Sequence, residues 1–100
     1  MQELLQRDDL FELVVSGVKK STVRKGVRDI TEGPLVIKAT ESGKTKEVNV
    51  TDVEFVKYSD LNEQDAETNG FQSLNDLKTT LTEIYGELES DQDITIVYWD

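Results

Sequence analysis

Within Gly17-Val18-Lys19-Lys20-Ser21-Thr22-Val23-Arg24, three side chains have types and spacing that suit one piece of chemistry. Thr22 brings a hydroxyl, a poor nucleophile until a base stands beside it. Lys19 can be that base if its pKa falls well below the ordinary value of about 10.4, and burial and like charge are the forces that lower it. Lys20, Arg24 and Lys25 supply like charge nearby in sequence. Arg24, two residues past Thr22, projects to the same side of an extended strand and can fork onto a carbonyl or a phosphate. Together they could activate a hydroxyl at Thr22, with Lys19 as its base, and hold an oxygen-bearing ligand at Arg24. Binding of a nucleotide or a small anion would need only the cations, Lys20 and Lys25 among them.

The charge around this segment sharpens the choice. The chain has 100 residues, 11 Lys plus Arg against 21 Asp plus Glu, and a net charge of −10. Residues 1–58 hold ten charges of each sign, whereas residues 59–100 hold eleven acids and only Lys78. Residues 19–28 contain five bases and no acid, a basic island in an acidic body. A protein that coats duplex DNA needs a broad basic surface, so duplex DNA is excluded as a partner. A nucleoside, a short single-stranded RNA or a small anion fits the island. With no Cys and no His, disulfides, thiol catalysis, Ser-His triads and ordinary zinc sites are excluded, and no metal or cofactor is expected. Asp8-Asp9 and the acids from Glu87 to Asp93 read as solvated charge. No run reaches the roughly 18 apolar residues of a membrane span, and no membrane contact is expected. The N-terminal residues lack the pattern of a secretory signal, which makes a cytoplasmic location the expectation.

The elements that must position these groups fit a single domain over residues 1–100. Leu4, Leu10, Phe11, Val14 and Val15 fall near helical spacing and predict a helix from Glu3 to Val15, closed by Ser16-Gly17. Thr22–Arg24 predicts a short strand, and Leu35–Thr40 a second that enters a hairpin loop at Glu41–Lys44. Lys46–Tyr58 alternates as a long strand with a slip at Thr51-Asp52, the signature of a bulge. Asn62 caps a short helix that stops at Asn69-Gly70, and Ser73, with Asp76 three residues on, caps another. Its buried stripe is Leu74, Leu77, Leu81, Ile84 and Tyr85. Ile94–Trp99 predicts the last strand. Phe55, Phe71 and Tyr85 read as core, with Tyr58 and Trp99 filling a barrel end. The whole predicts an α+β fold with a small curved or barrel-like sheet.

The four spaced residues Gly17, Lys19, Thr22 and Arg24 resemble the signature of ASCH domains: glycine, any residue, lysine, two residues, threonine, any residue, arginine. Leu61-Asn62-Glu63-Gln64-Asp65-Ala66 looks like the family's leucine-x-glutamate-x-x-alanine helix. Gly70-Phe71 before Ser73-Leu74 looks like its turn into the second helix. The resemblance runs over nearly the whole chain in the family's order, and implies a small PUA-like β-barrel with flanking helices. Small bacterial members are similar to an amidohydrolase that deacetylates N4-acetylcytidine, in which the signature lysine and threonine act with a later glutamate. Lys19 and Thr22 match the first two. Counted from Ala66, the glutamate position holds Asn69, an amide that can orient a carbonyl or a base edge but cannot transfer a proton as a carboxyl group does. Glu67 and Glu63 are the nearest acids in sequence that could take over.

Three functions follow as expectations. The first is a cleft for a modified nucleoside that hydrolyses the amide of an N4-acylated cytidine. The second is a module that binds a nucleotide or a short RNA without reaction, or cuts single-stranded RNA, with Arg24, Lys20, Lys25 and Asn69 as binding residues. The third is an acidic interaction domain that uses residues 59–100. Composition fixes no oligomeric state.

Overall fold

The computed structural model describes all 100 residues. Five strands and three α-helices follow in the order β1 (Gln2–Gln6), α1 (Asp8–Ser16), β2 (Ser21–Lys25), β3 (Gly33–Ala39), β4 (Thr45–Lys57), α2 (Glu63–Thr68), α3 (Leu74–Tyr85) and β5 (Asp93–Trp99). They form one curled sheet ordered β1-β3-β4-β5-β2, in which β1 pairs parallel to β3 and every other pairing is antiparallel. The sheet is a half-barrel: β1 and β2 are its two edges, and no backbone ladder joins them.

The N-terminus corrects the expected helix. Residues 2–6 are a strand and the helix begins only at Asp8. Leu4 and Gln6 are buried while Glu3 and Leu5 face out, a period of two that the leucine spacing conceals. Leu4 lies opposite Ile37 in the parallel register, and that non-local pairing overrides the local pattern. The other boundaries lie close to their sequence signals. Between Val50 and Asp52 the β4–β5 register shifts, a bulge that bends the long strand. The Asn62 side chain accepts from the Asp65 amide, and Ser73 Oγ accepts from the Asp76 amide at 3.1 Å.

Two apolar clusters lie on opposite faces of the sheet. Phe11 and Val14 of α1 pack with Leu35, Ile37, Val50, Val97 and Trp99. Leu77 and Leu81 of α3 and Ala66 of α2 pack with Val23, Ile94 and Ile96. Strand β5 is therefore covered on both faces, and its side chains are buried from Ile94 to Val97. Trp99 is core, whereas Tyr58 only packs against the second cluster from its edge. Phe55 corrects the expected core: it belongs to neither cluster and stays 58% exposed. Ile84 likewise leaves the expected buried stripe of α3 and is exposed. No helix is long and apolar enough to cross a membrane.

Candidate functional site

The open seam between β1 and β2 is roofed by α3, and a cavity of about 430 Å³ lies there. Its walls bring together Gln6 of β1, Lys19 from the α1–β2 loop, Thr22 and Arg24 of β2, Asn69 at the end of α2, Phe71, and Tyr85 of α3. Lys19, Thr22, Arg24 and Asn69, singled out from sequence, thus share one cavity. Lys20 and Lys25 do not line it. Both side chains are exposed, and Lys25, one residue past Arg24, points away from the cavity side of the strand.

Local backbone contacts fix Lys19. Helix α1 ends on Gly17 in the left-handed conformation (φ 83°). The Lys19 amide then donates to the Leu13 carbonyl at 3.0 Å, and the Lys20 amide donates to the Thr68 carbonyl at 2.9 Å. Gly70 passes close by with φ +85°, and a Cβ there would sit 3.3 Å from the Lys19 Cβ. Its glycine is required twice, by conformation and by space. The lysine side chain turns inward and is only 1% exposed. Its Nζ donates to Asn69 Oδ1 and, at 3.3 Å, to the Asn69 backbone carbonyl. The ammonium side also lies 5.7 Å from the Phe71 ring centre. Burial, and then the charge of Arg24, bring the Lys19 pKa down to about 7. Lys19 therefore holds an amine that is largely unprotonated just above neutral pH.

A second polar group stitches the seam. Arg24 Nε donates to Thr22 Oγ1 and Arg24 Nη2 donates to Gln6 Oε1, each at 3.0 Å. Thr22 Oγ1 in turn donates to Gln6 Oε1 at 3.4 Å. Burial works against the Arg24 charge, the Tyr85 hydroxyl supports it and Arg28 opposes it, with a net shift below the ordinary value. Gln6 escaped the sequence reading because a lone glutamine in an alternating segment carries no signal. Its importance comes from β1 lying across the seam from β2. Phe71 and Tyr85, expected as core, are half-buried walls of the cavity.

No carboxyl group forms a hydrogen bond or ion pair with Lys19, Thr22 or Arg24. Glu3 is the only acidic residue that lines the cavity, and it is exposed. Glu67 and Glu63 are exposed and line none of it, and Glu63 Oε2 accepts from the Leu74 amide at 3.0 Å instead. No cluster of three acids could hold a metal ion. Asp8 accepts from the Glu41 and Ser42 amides, and Asp9 pairs with Arg7.

No protein-family model matches the sequence, and no curated protein matches it. Two solved structures are similar in fold. The crystal structure of an ASCH domain from Lactobacillus crispatus JV V101 has a TM-score of 0.70 at 13% identity, covering 99% of this chain and 79% of that one. The crystal structure of a DUF984 protein from Enterococcus faecalis V583 has a TM-score of 0.74 at 17% identity, covering 100% of this chain and 75% of that one. At these identities the likeness is one of fold, and the fold is the ASCH-like, PUA-like half-barrel.

Proposed function

We propose that this ASCH-like domain binds a pyrimidine nucleoside, free or at the end of a short single-stranded RNA, in the cavity under α3. The observation that carries the reading is that two polar groups, Lys19 with Asn69 and Arg24 with Thr22 and Gln6, line one cavity of about 430 Å³. That volume falls in the range of about 300–1,000 Å³ typical of small-ligand sites. Phe71 and Tyr85 offer aromatic faces on which a base can stack. Asn69 and Arg24 offer amide and guanidinium groups of the kind that read base edges. The cations are gathered in the cavity while the chain as a whole carries −10, which favours a small ligand over a long polyanion.

Hydrolysis of an N4-acylated cytidine is a second reading, favoured by the near-neutral pKa of Lys19. In it the Thr22 hydroxyl would turn from Gln6, pass its proton to the Lys19 amine and attack the acyl carbon. The C–N bond would break as the cytosine amine takes that proton, and a water would then hydrolyse the acyl-threonine ester, releasing acetate and restoring the hydroxyl. Its weak point is the departure of the amine, because no carboxyl group forms a hydrogen bond with Lys19 or Thr22 and Lys19 must return the proton itself. The test measures acetate release from N4-acetylcytidine beside Lys19→Ala and Thr22→Ala, and titrates cytidine and a short RNA at two salt concentrations. Saturable binding that survives moderate salt supports a base pocket, and affinity that collapses with salt rejects it. Acetate release lost in both variants supports the hydrolase.

A further inference from the structure

The ion pairs of this protein are Arg7 with Asp9 and Glu83, and Lys57 with Asp93. None involves Arg24 or Lys19, although the chain has 21 acids to draw on. The half-buried Arg24 guanidinium donates only to the neutral oxygens of Thr22 and Gln6, both of them buried residues. Arg28 and Lys19, of the same sign, line the same cavity, and its one acid, Glu3, is exposed and makes no hydrogen bond or ion pair with Arg24. Arg7 lines it too, but its charge is met by its own two carboxylates.

A buried charge without a counter-charge is expensive, and a protein usually escapes by pairing it or by losing the proton. Lys19 can lose its proton. Arginine cannot at any ordinary pH. The residue best placed to neutralise it, Gln6, is the amide of the acid that would do so. We infer that the counter-charge of Arg24 arrives with the ligand: the cavity takes an oxyanion, carried as the phosphate of a nucleoside monophosphate rather than absent as in a neutral nucleoside. The inference rests on the nucleoside reading for the rest of the ligand, but not for its charge. Arg24 forks onto the oxyanion and Arg28 and Lys19 add to the field around it.

The test titrates cytidine, cytidine monophosphate, inorganic phosphate and acetate into the protein and its Gln6→Glu and Arg24→Gln variants at near-physiological salt. Circular dichroism verifies each fold, and calorimetry and thermal shift report binding. The monophosphate is expected to bind at least about tenfold more tightly than cytidine, the size of one modest charge interaction. Gln6→Glu, which places an internal carboxylate on Arg24, is expected to raise the melting temperature and erase that preference. Equal binding of cytidine and its monophosphate overturns the oxyanion while leaving the nucleoside reading intact. Protection by phosphate or acetate, lost in Gln6→Glu, with no binding of cytidine or its monophosphate, supports the oxyanion and overturns the nucleoside reading. The phosphate and acetate arms tell which oxyanion the seat takes. No binding by any of the four overturns both. Gln6→Glu folds around an existing contact, so the test stands even if Arg24→Gln does not fold.

Discussion

The Lys19 amine gives hydrogen bonds to two oxygens of one residue, the side-chain Oδ1 and the backbone carbonyl of Asn69. A neutral amine has two N–H groups and one lone pair, so these two acceptors satisfy it without a charge. A carboxylate at position 69 would hold the lysine as an ammonium. The amide instead lets it titrate near pH 7.

Asn69→Asp is therefore expected to raise the Lys19 pKa by more than about one unit, since a close opposite charge favours the ammonium. Carbon-detected NMR of the lysine side chains follows the titration directly. A midpoint that stays near 7 in the variant would show that a charge at position 69 does not reach the amine, which burial and Arg24 hold down.

The same lysine gives stability a defined pH dependence. Its folded pKa of about 7 lies below its ordinary 10.5, so between those values the unfolded chain holds a proton that the folded chain has lost. Stability attributable to Lys19 then rises with pH across that window by about 1.4 kcal/mol per unit, and below it the full penalty is present. Urea unfolding of the protein and of Lys19→Met from pH 6 to 10 isolates the effect by difference. Lys19→Met is expected to be the more stable at pH 6, and the gap to close toward pH 10.

Bound phosphate adds a charge that favours the ammonium, so binding above pH 7 takes up a proton. Affinity for the monophosphate is expected to fall as pH rises from 7 to 9, approaching tenfold per unit, about 1.4 kcal/mol, where the shift is fully expressed. Calorimetry in two buffers of different ionisation enthalpy detects the uptake. Equal heats in both buffers at pH 8 would sever Lys19 from the bound anion.

Gly70→Ala combines a left-handed backbone with a Cβ at 3.3 Å from that of Lys19. A loss of about 1–3 kcal/mol is expected in denaturant unfolding. Because the displaced neighbour is Lys19, the variant is also expected to shift the lysine titration, which a distant glycine such as Gly43, with open space around its Cβ position, leaves alone.

Gln6→Leu removes the acceptor shared by Thr22 and Arg24 at little change in volume. Orphaning a charged donor in a mostly buried site is expected to cost about 1–3 kcal/mol. Hydrogen exchange of the β1 and β2 amides checks it, and unchanged protection of both strands would mean that the seam does not depend on Gln6.

What was legible in the sequence is what is encoded locally. Ser73 marks a helix start by accepting from the Asp76 amide, and the slip at Thr51-Asp52 marks a bulge within a single strand. Lys19, Thr22 and Arg24 are legible as a set through their resemblance to the ASCH signature, and Asn69 by its count from Ala66. Strand β1 is not, because Leu4 stands at helical spacing from Phe11 and Val15 and only the parallel pairing with β3 reveals the strand. Phe55 was misread as core because alternation tells which face a residue takes and says nothing of whether that face is covered. Lys20 and Lys25 share the charge of Arg24 but are exposed and lie outside the cavity.

The gap between β1 and β2 gives occupancy of the cavity a reach beyond its walls. The first and last strands of the sheet meet there through side chains only, so the ring of hydrogen bonds is broken at one place. A molecule seated on Arg24 and Gln6 touches both ends of that ring and acts as its clasp. On the proposed reading, a bound molecule would close the ring at its one break, where the two edge strands share no backbone ladder.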